Sequence, residues 1–112
     1  MTLQDEQKPI DIAIADAMVA STPENWNSII LILERQSDSI NIGEFTHEIV
    51  SPEGHTPVVP EASLYDATYR LDVLLQRHGG IFKKATYRVD LYADEWKYQA
   101  DFEYMLKDKI EQ

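Results

Sequence analysis

The spacing of apolar residues in the first part of the chain predicts a helix with two apolar faces. Residues 1–8 are polar and are expected to be frayed, Pro9 suits the first turn of a helix, and Pro23 ends it. One face carries Ile10, Ala13, Ile14, Ala17 and Ser21, and the opposite face carries Ile12, Ala15 and Val19. A simple surface helix would be polar on that second face. This helix is therefore either covered on both sides, or its second face meets something else.

Two strands follow and form an antiparallel hairpin. Residues 28–35 are predicted as a strand whose centre is a continuous apolar run. Residues 36–38 form the turn, and residues 39–50 form the second strand, in which Gly43 is a candidate bulge.

A loop and a second helix come next. Residues 51–60 hold three prolines and a glycine and are predicted as a loop. Residues 61–78 carry the clearest helical pattern, and the glycine pair at residues 79–80 ends it. The side chains that share its apolar face are Leu64, Ala67, Thr68, Leu71, Leu74, Leu75 and His78.

The last two predicted strands form a second hairpin. Residues 84–93 and 96–106 alternate between two sets of side chains, of which the inward set contains the aromatic residues Tyr87, Trp96, Tyr98, Phe102 and Tyr104. A two-residue turn at residues 94–95 would place Arg88 opposite Asp101, as an ion pair on the outer face.

These six elements predict an α+β fold in a single domain of residues 1–112, in the order helix, strand, strand, helix, strand, strand. The simplest arrangement is a two-layer sandwich, in which two helices cover one face of an antiparallel four-stranded sheet. The other face is then partly open to solvent. Ile30 and Ile32 point away from the odd-numbered residues of their strand, so one of the two sets forms an apolar outer strip. That strip is a candidate contact site.

The distribution of charge singles out the first half of the chain. The sequence contains 20 acidic and 10 basic residues, which gives a formal net charge of −10. Ten acids and two bases in residues 1–56 give −8, whereas ten acids and eight bases in residues 57–112 give −2. Such a chain repels nucleic acid and anionic membranes and attracts a basic partner. The first half is the expected docking surface for that partner.

The compartment is inferred from what the sequence lacks. There is no cysteine, which fits a reducing compartment. No apolar run approaches the roughly 18 residues that suggest a membrane span. The N-terminus has neither the basic nor the apolar region of a signal peptide. The protein is therefore expected in the cytoplasm.

No motif for catalysis is present: GxSxG, HExxH, the Walker A loop and GxGxxG are all absent. The histidines are His47, His55 and His78. In a strand, Glu44 and Glu48 would share one face while His47 takes the other, so no metal site is expected there. His78 suits the last turn of a helix, where its charge complements the dipole. The sequence predicts no enzyme, no metal and no cofactor.

Two stretches of the chain resemble YezG-like proteins. Residues 23–26 (Pro-Glu-Asn-Trp), which lead into the apolar strand at residues 29–34, are similar to that family's opening segment. Residues 100–104 (Ala-Asp-Phe-Glu-Tyr), with Asp108 following, are similar to its closing strand. The resemblance spans most of residues 9–108, and the layout of helices and hairpins agrees with it.

The resemblance implies a bacterial immunity protein, or antitoxin, which binds and neutralises a co-produced toxin domain delivered by neighbouring bacteria. Such a protein is a stoichiometric inhibitor without catalysis. Trp26, Asp101 and Tyr104 carry the family match, and their expected role is structural. Trp26 would plug the join between the first helix and the sheet.

The implied partner is the C-terminal domain of a cognate toxin, a basic nuclease, because a nuclease must be basic to hold its substrate. Opposite charge speeds such an encounter, and tight binding needs apolar anchors. The field is expected to come from Asp11, Asp16, Glu34, Asp38, Glu44 and Glu48, and the apolar contact from Ile12 and Val19. The chain is expected to be a monomer or a weak homodimer.

Two other interpretations stay open. One is a small acidic adaptor or chaperone-like module that binds a protein unrelated to toxins, and the other is an enzyme with a small-molecule substrate. The neighbouring reading frame discriminates between them, because a basic, nuclease-like C-terminal domain upstream would favour immunity.

Overall fold

The computed structural model describes residues 2–36, 39–54 and 58–107. Its elements in chain order are α1 Leu3–Ser21, β1 Ser28–Arg35, β2 Phe45–Val50, α2 Ala62–Arg77, β3 Gly80–Tyr92 and β4 Glu95–Lys107. The four strands form one antiparallel sheet in the order β2-β1-β3-β4. The predicted α+β class and the predicted order of elements are confirmed.

Both helices pack on the same face of the sheet, which makes the fold a two-layer sandwich. The residues of β1 that are buried on that face are Ile29, Leu31, Leu33 and Arg35. Tyr87 of β3 stands opposite Leu31, and its hydroxyl donates a hydrogen bond to Asp11 of α1. Arg35 donates a hydrogen bond to Asp72 of α2. The even-numbered residues of β1 therefore lie on a face that neither of the two described helices covers.

The first helix begins earlier than the sequence predicts. Thr2 and Asp5 form a capping box, in which each side chain accepts a hydrogen bond from the backbone N–H of the other residue. Leu3 is buried in the core, so the start of the helix is also anchored by packing. The predicted fraying of residues 1–8 is wrong from Leu3 onward, and Pro9 lies inside the helix rather than in its first turn.

The second strand is shorter than predicted because the chain turns between residues 39 and 44. Gly43 has a φ of +77°, a left-handed conformation that favours glycine, and its N–H donates to Asp72 Oδ2 at 2.9 Å. A Cβ atom at Gly43 would lie 2.8 Å from the ring of Tyr69. The strand starts only at Phe45, so the predicted strand over residues 39–44 is wrong, and Gly43 lies in a turn rather than in a bulge.

The β3–β4 hairpin turns one residue earlier than predicted. Residues 93–94 (Ala-Asp) have φ angles of 49° and 67°, the two positive values that a type I′ turn requires. This change shifts the register, so Arg88 stands opposite Gln99 and the predicted pair with Asp101 does not form. Arg88 instead donates to Asp90 of its own strand at 2.9 Å.

The second helix and the side-chain alternation of the last two strands agree with the predicted patterns. The buried residues of α2 are Leu64, Ala67, Thr68, Leu71, Asp72, Leu74 and Leu75, and all but Asp72 belong to the predicted face. Gly79 ends this segment with a φ of +87°. The side chains of β4 that pack against the core are Trp96, Ala100, Phe102 and Tyr104.

Candidate functional site

The open face of the sheet, opposite the helices, carries an apolar strip near its centre. Ile30 and Ile32 of β1 point to this face, and Val50 of β2 stands opposite Ile30. All three side chains are only half-buried. These three residues, the open-face strip, leave aliphatic surface in contact with water on a face that neither described helix covers.

Charged side chains border the open-face strip. Glu48 of β2 stands opposite Ile32, and Glu34 lies two residues further along β1 on the same face; both glutamates are exposed. On the β3 side, Lys84 stands opposite Glu34, and Arg88 is paired with an aspartate of its own strand. An apolar centre with a polar, accessible rim is the usual layout of a protein–protein contact surface.

A shallow groove lies on the other side of the sheet, between α1 and the last hairpin. It is lined by Ile12, Asp16 and Val19 of α1 and by Trp96, Lys97 and Tyr98 of β4, and its volume is about 100 Å³. Small-molecule sites usually occupy about 300–1,000 Å³, so this groove is too small to hold a typical substrate. The second apolar face of the first helix thus meets β4, but incompletely, since Ile12 remains 44% exposed.

Asp11 is buried rather than exposed. It accepts a hydrogen bond of 2.6 Å from the Tyr87 hydroxyl and longer ones from the Gln7 amide. Burial raises the pKa of Asp11, while the hydrogen bonds from Tyr87 and Gln7 act in the opposite direction. Asp11, which the sequence analysis places on the docking surface, is thus 8% exposed, and its carboxyl group satisfies a buried tyrosine.

The remaining residues that the sequence predicts for the docking surface fall into separate groups. Ile12, Asp16 and Val19 come together in the groove, whereas Glu34 and Glu48 lie across the sheet on the open face. The structure therefore does not bring the predicted set into one surface.

Glu44 stands apart from both groups. It is exposed beside the turn at residues 39–44, where it accepts a hydrogen bond of 2.9 Å from the Asn41 amide. This bond, with a weaker contribution from Ser39, lowers the pKa of Glu44. Asp38 lies outside the described residues.

The three residues that carry the family resemblance lie in different surroundings. Trp26 is buried, with 3% of its surface exposed. Tyr104 is half-buried and its ring lies 5.9 Å from that of Phe102. Asp101 is exposed on the open face, opposite Thr86.

A buried ion pair that the sequence analysis missed holds the turn at residues 39–44 against the second helix. Arg35 Nη2 donates to Asp72 Oδ1 at 2.8 Å, and both side chains are fully buried. The guanidinium also donates to the backbone carbonyls of Phe82 and Asn41, at 2.7 and 3.0 Å. One feature of the sequence indicated that Arg35 is buried: it lies on the same face of β1 as the other odd-numbered residues of that strand, which are apolar and buried.

The described histidines have structural partners. His47 Nε2 lies 2.7 Å from the Thr68 hydroxyl, and burial lowers the pKa of His47 to about 4. His78 Nε2 lies 3.0 Å from Glu6 Oε2, which links the end of α2 to the start of α1. His55 lies outside the described residues.

Within the described ranges, no three residues among histidine, aspartate and glutamate converge in a way that could hold a metal ion. Neither α1 nor α2 combines the length and apolar character that crossing a membrane requires. No protein-family model, no curated protein and no solved structure matches the chain.

Proposed function

We propose that this protein is an immunity protein, which binds a basic bacterial toxin domain and neutralises it stoichiometrically without catalysing a reaction. The observation that carries the proposal is the open-face strip with its glutamate border. Docking on Ile30 and Ile32 would remove the remaining apolar surface of the strip from water, which favours association.

Charge supports a basic partner. The chain carries a net charge of −10, and opposite charge on a partner raises the rate of encounter. A nuclease domain needs positive charge to hold its polyanionic substrate, so an acidic inhibitor can occupy the same surface. The resemblance of residues 23–34 and 100–104 to YezG-like proteins supports the same function. In this proposal the protein acts in the cytoplasm, on a toxin that has entered the cell.

Co-expression tests the function directly. The partner to use is the C-terminal domain encoded by the neighbouring upstream reading frame. This chain is expected to rescue growth of cells that produce that domain and to co-purify with it at one to one. A complex without rescue would favour the adaptor interpretation, and the absence of both would refute the proposal.

A charge placed in the open-face strip tests where the partner docks. Ile32→Asp is expected to weaken binding at least about 30-fold if this residue is an interface anchor worth 2 kcal/mol or more. Ile40→Asp is the matched control, because Ile40 is 60% exposed and lies in the turn beside the sheet. Equal affinities for the two variants would show that the partner binds elsewhere.

Charge reversal tests the electrostatic part of the proposal. Glu34→Lys combined with Glu48→Lys is expected to slow association and to reduce its dependence on salt, since the border of the strip loses its negative field. Glu53→Lys combined with Glu61→Lys makes the same change at two exposed residues that belong neither to the strip nor to its border. If both double variants associate at the same rate, only overall charge matters and the border has no special role.

A further inference from the structure

The described sheet ends in one long edge that no other described strand covers. The strand order places β2 at one edge and β4 at the other. The β2 edge has only six residues, and Val58 bridges to Ile49 beside it. The β4 edge has 13 residues and contains neither proline nor glycine. A long regular edge of this kind is a template for pairing with another strand.

Alternate residues of β4 direct their backbone groups away from the sheet. The N–H of Leu91 donates to the carbonyl of Asn27, on the β1 side, at 2.9 Å. Odd-numbered residues of β3 therefore point their backbone groups towards β1 and even-numbered ones towards β4. The β4 residues opposite those even-numbered positions are Lys97, Gln99, Asp101 and Glu103. The outward-pointing backbone groups thus belong to Trp96, Tyr98, Ala100 and Phe102.

The aromatic residues of β4 are placed symmetrically about Ala100. Residues 96–104 read Trp-Lys-Tyr-Gln-Ala-Asp-Phe-Glu-Tyr, with aromatic side chains on the helix side at equal distances before and after Ala100. Two antiparallel copies aligned at Ala100 would set Trp96 against Tyr104 and Tyr98 against Phe102. Cross-strand aromatic pairs stabilise antiparallel sheets.

Charges on the open-face side select this alignment. With Ala100 opposite its own copy, Lys97 of each chain stands opposite Glu103 of the other, which gives two ion pairs. Sliding one copy by two residues in one direction pairs Lys97 with Asp101 but sets Glu95 against Glu103, and sliding it in the other direction sets Asp101 against Asp101. Sliding by one residue would pair side chains of opposite faces. Of these registers with matching faces, the one aligned at Ala100 sets no like charges against each other.

We propose that two copies of this chain associate through β4, antiparallel and aligned at Ala100, into one continuous eight-stranded sheet. The helices pack mainly over β1 and β3, and Tyr98 on the helix side of β4 remains 38% exposed. In the dimer, Phe102 of the second copy lies beside Tyr98 on that side of the sheet. The open-face strip stays accessible, so the dimer neither requires toxin binding nor prevents it.

Reversing the charge at position 97 in one variant, and at position 103 in another, tests the register. Lys97→Glu sets glutamate against glutamate twice per dimer, and Glu103→Lys sets lysine against lysine twice. Each variant is expected to raise the dimer dissociation constant about tenfold or more, measured by analytical ultracentrifugation. An equal mixture of the two variants is expected to associate again, because both positions of the mixed dimer carry opposite charges.

Glu53→Lys is the control, since it makes the same substitution in an exposed loop beyond the opposite edge of the sheet, and it is expected to dimerise like the unmodified chain. An unmodified chain that stays monomeric at every concentration would overturn the proposal. So would a mixture that associates no better than its components.

Amide hydrogen exchange tests the edge pairing itself. The amides of Tyr98 and Ala100 are expected to become protected as protein concentration rises, because their N–H groups then donate to the second copy. A dimer in which these amides exchange at a concentration-independent rate would have formed through another surface, and the proposal would fail.

Discussion

The buried pair of Arg35 and Asp72 allows a quantitative test of what holds the turn and the second helix to the sheet. Among the described residues, Asp72 has the only carboxylate within hydrogen-bonding distance of the Arg35 guanidinium, and Asp72→Ala removes it. Arg35 then keeps only the backbone carbonyls of Phe82 and Asn41 as acceptors. The same change removes the acceptor of the Gly43 N–H. The Gln76 amide, which donates to Asp72 Oδ1 at 3.3 Å, loses this acceptor as well. Three donors that one side chain satisfies thus lose their partner together.

The expected loss of stability is large for one substitution. Removing one member of a buried ion pair costs about 3–5 kcal/mol. The free energy of unfolding of a domain of this size is about 5–15 kcal/mol. With about 4 °C of melting temperature per kcal/mol, the variant is expected to melt about 12–20 °C lower.

A double-mutant cycle separates the pair from its surroundings. Arg35→Met and Asp72→Leu are each expected to destabilise strongly, because each leaves a buried charge without its partner. The double variant leaves no charge, so its loss is expected to be smaller than the sum of the single losses by about 2 kcal/mol or more. Urea unfolding followed by circular dichroism measures all four proteins, and an unchanged m-value shows that the comparison is valid.

An exposed ion pair provides the control. Arg70 and Asp66 lie one turn apart on α2 with 3.3 Å between Nε and Oδ2, and both side chains are largely exposed. Asp66→Ala is expected to change the free energy of unfolding by no more than about 0.5 kcal/mol. If Asp72→Ala cost as little as Asp66→Ala, or if the Arg35 and Asp72 losses simply added, the reasoning from burial would be refuted.

Three further predictions concern single side chains. Trp26→Ala is expected to cost about 3–5 kcal/mol in urea unfolding, because the indole is buried; a loss below about 1 kcal/mol would contradict its structural role. Burial lowers the pKa of His47 from 6.5 to about 4. Between these two pH values the unfolded chain therefore binds a proton at His47 that the folded chain does not bind. Stability is therefore expected to fall as pH drops from 6.5 towards 4, and His47→Gln should remove that part of the pH dependence. Asp11→Asn keeps an acceptor for the Tyr87 hydroxyl and is expected to preserve stability at neutral pH, since the raised pKa shows that burial disfavours the charge. Asp11→Ala is expected to cost about 1–3 kcal/mol, because it leaves that buried hydroxyl unpaired, and equal melting temperatures for the two Asp11 variants would contradict this.

The elements that could be predicted from the sequence are those whose side chains follow a regular period. The apolar run of β1 and the helical pattern of α2 depend on burial of many residues at once, so both were found close to their observed bounds. The start of α1 depends instead on one local contact between Thr2 and Asp5, which a search for apolar periodicity does not detect. The hairpin register depends on which two residues take positive φ angles, and without a glycine near positions 93–95 the pattern allowed two choices.

The candidate site was harder to predict than the fold. Surface carboxylates follow no spacing rule, so the sequence could not separate Asp11, which lies on the buried side of α1, from Glu34 and Glu48, which are exposed. The pairing of Arg35 with Asp72 joins residues that are distant along the chain, and neither carries a local signal for the other. The apolar character of both faces of β1 was the feature of the sequence that led to the open face.

The strand order has a consequence for how the chain is made. On the ribosome, β1 gains its neighbour β2 as soon as residues 45–50 emerge, but its other edge waits for residues 80–92. Until then the most apolar strand of the protein lies at the edge of a two-stranded ribbon, where it is prone to aggregate. Synthesis of β3 therefore covers the second edge of β1, and β4 then adds the last strand. A chain that stops before β3 would be a target for chaperones and proteases rather than a smaller folded domain.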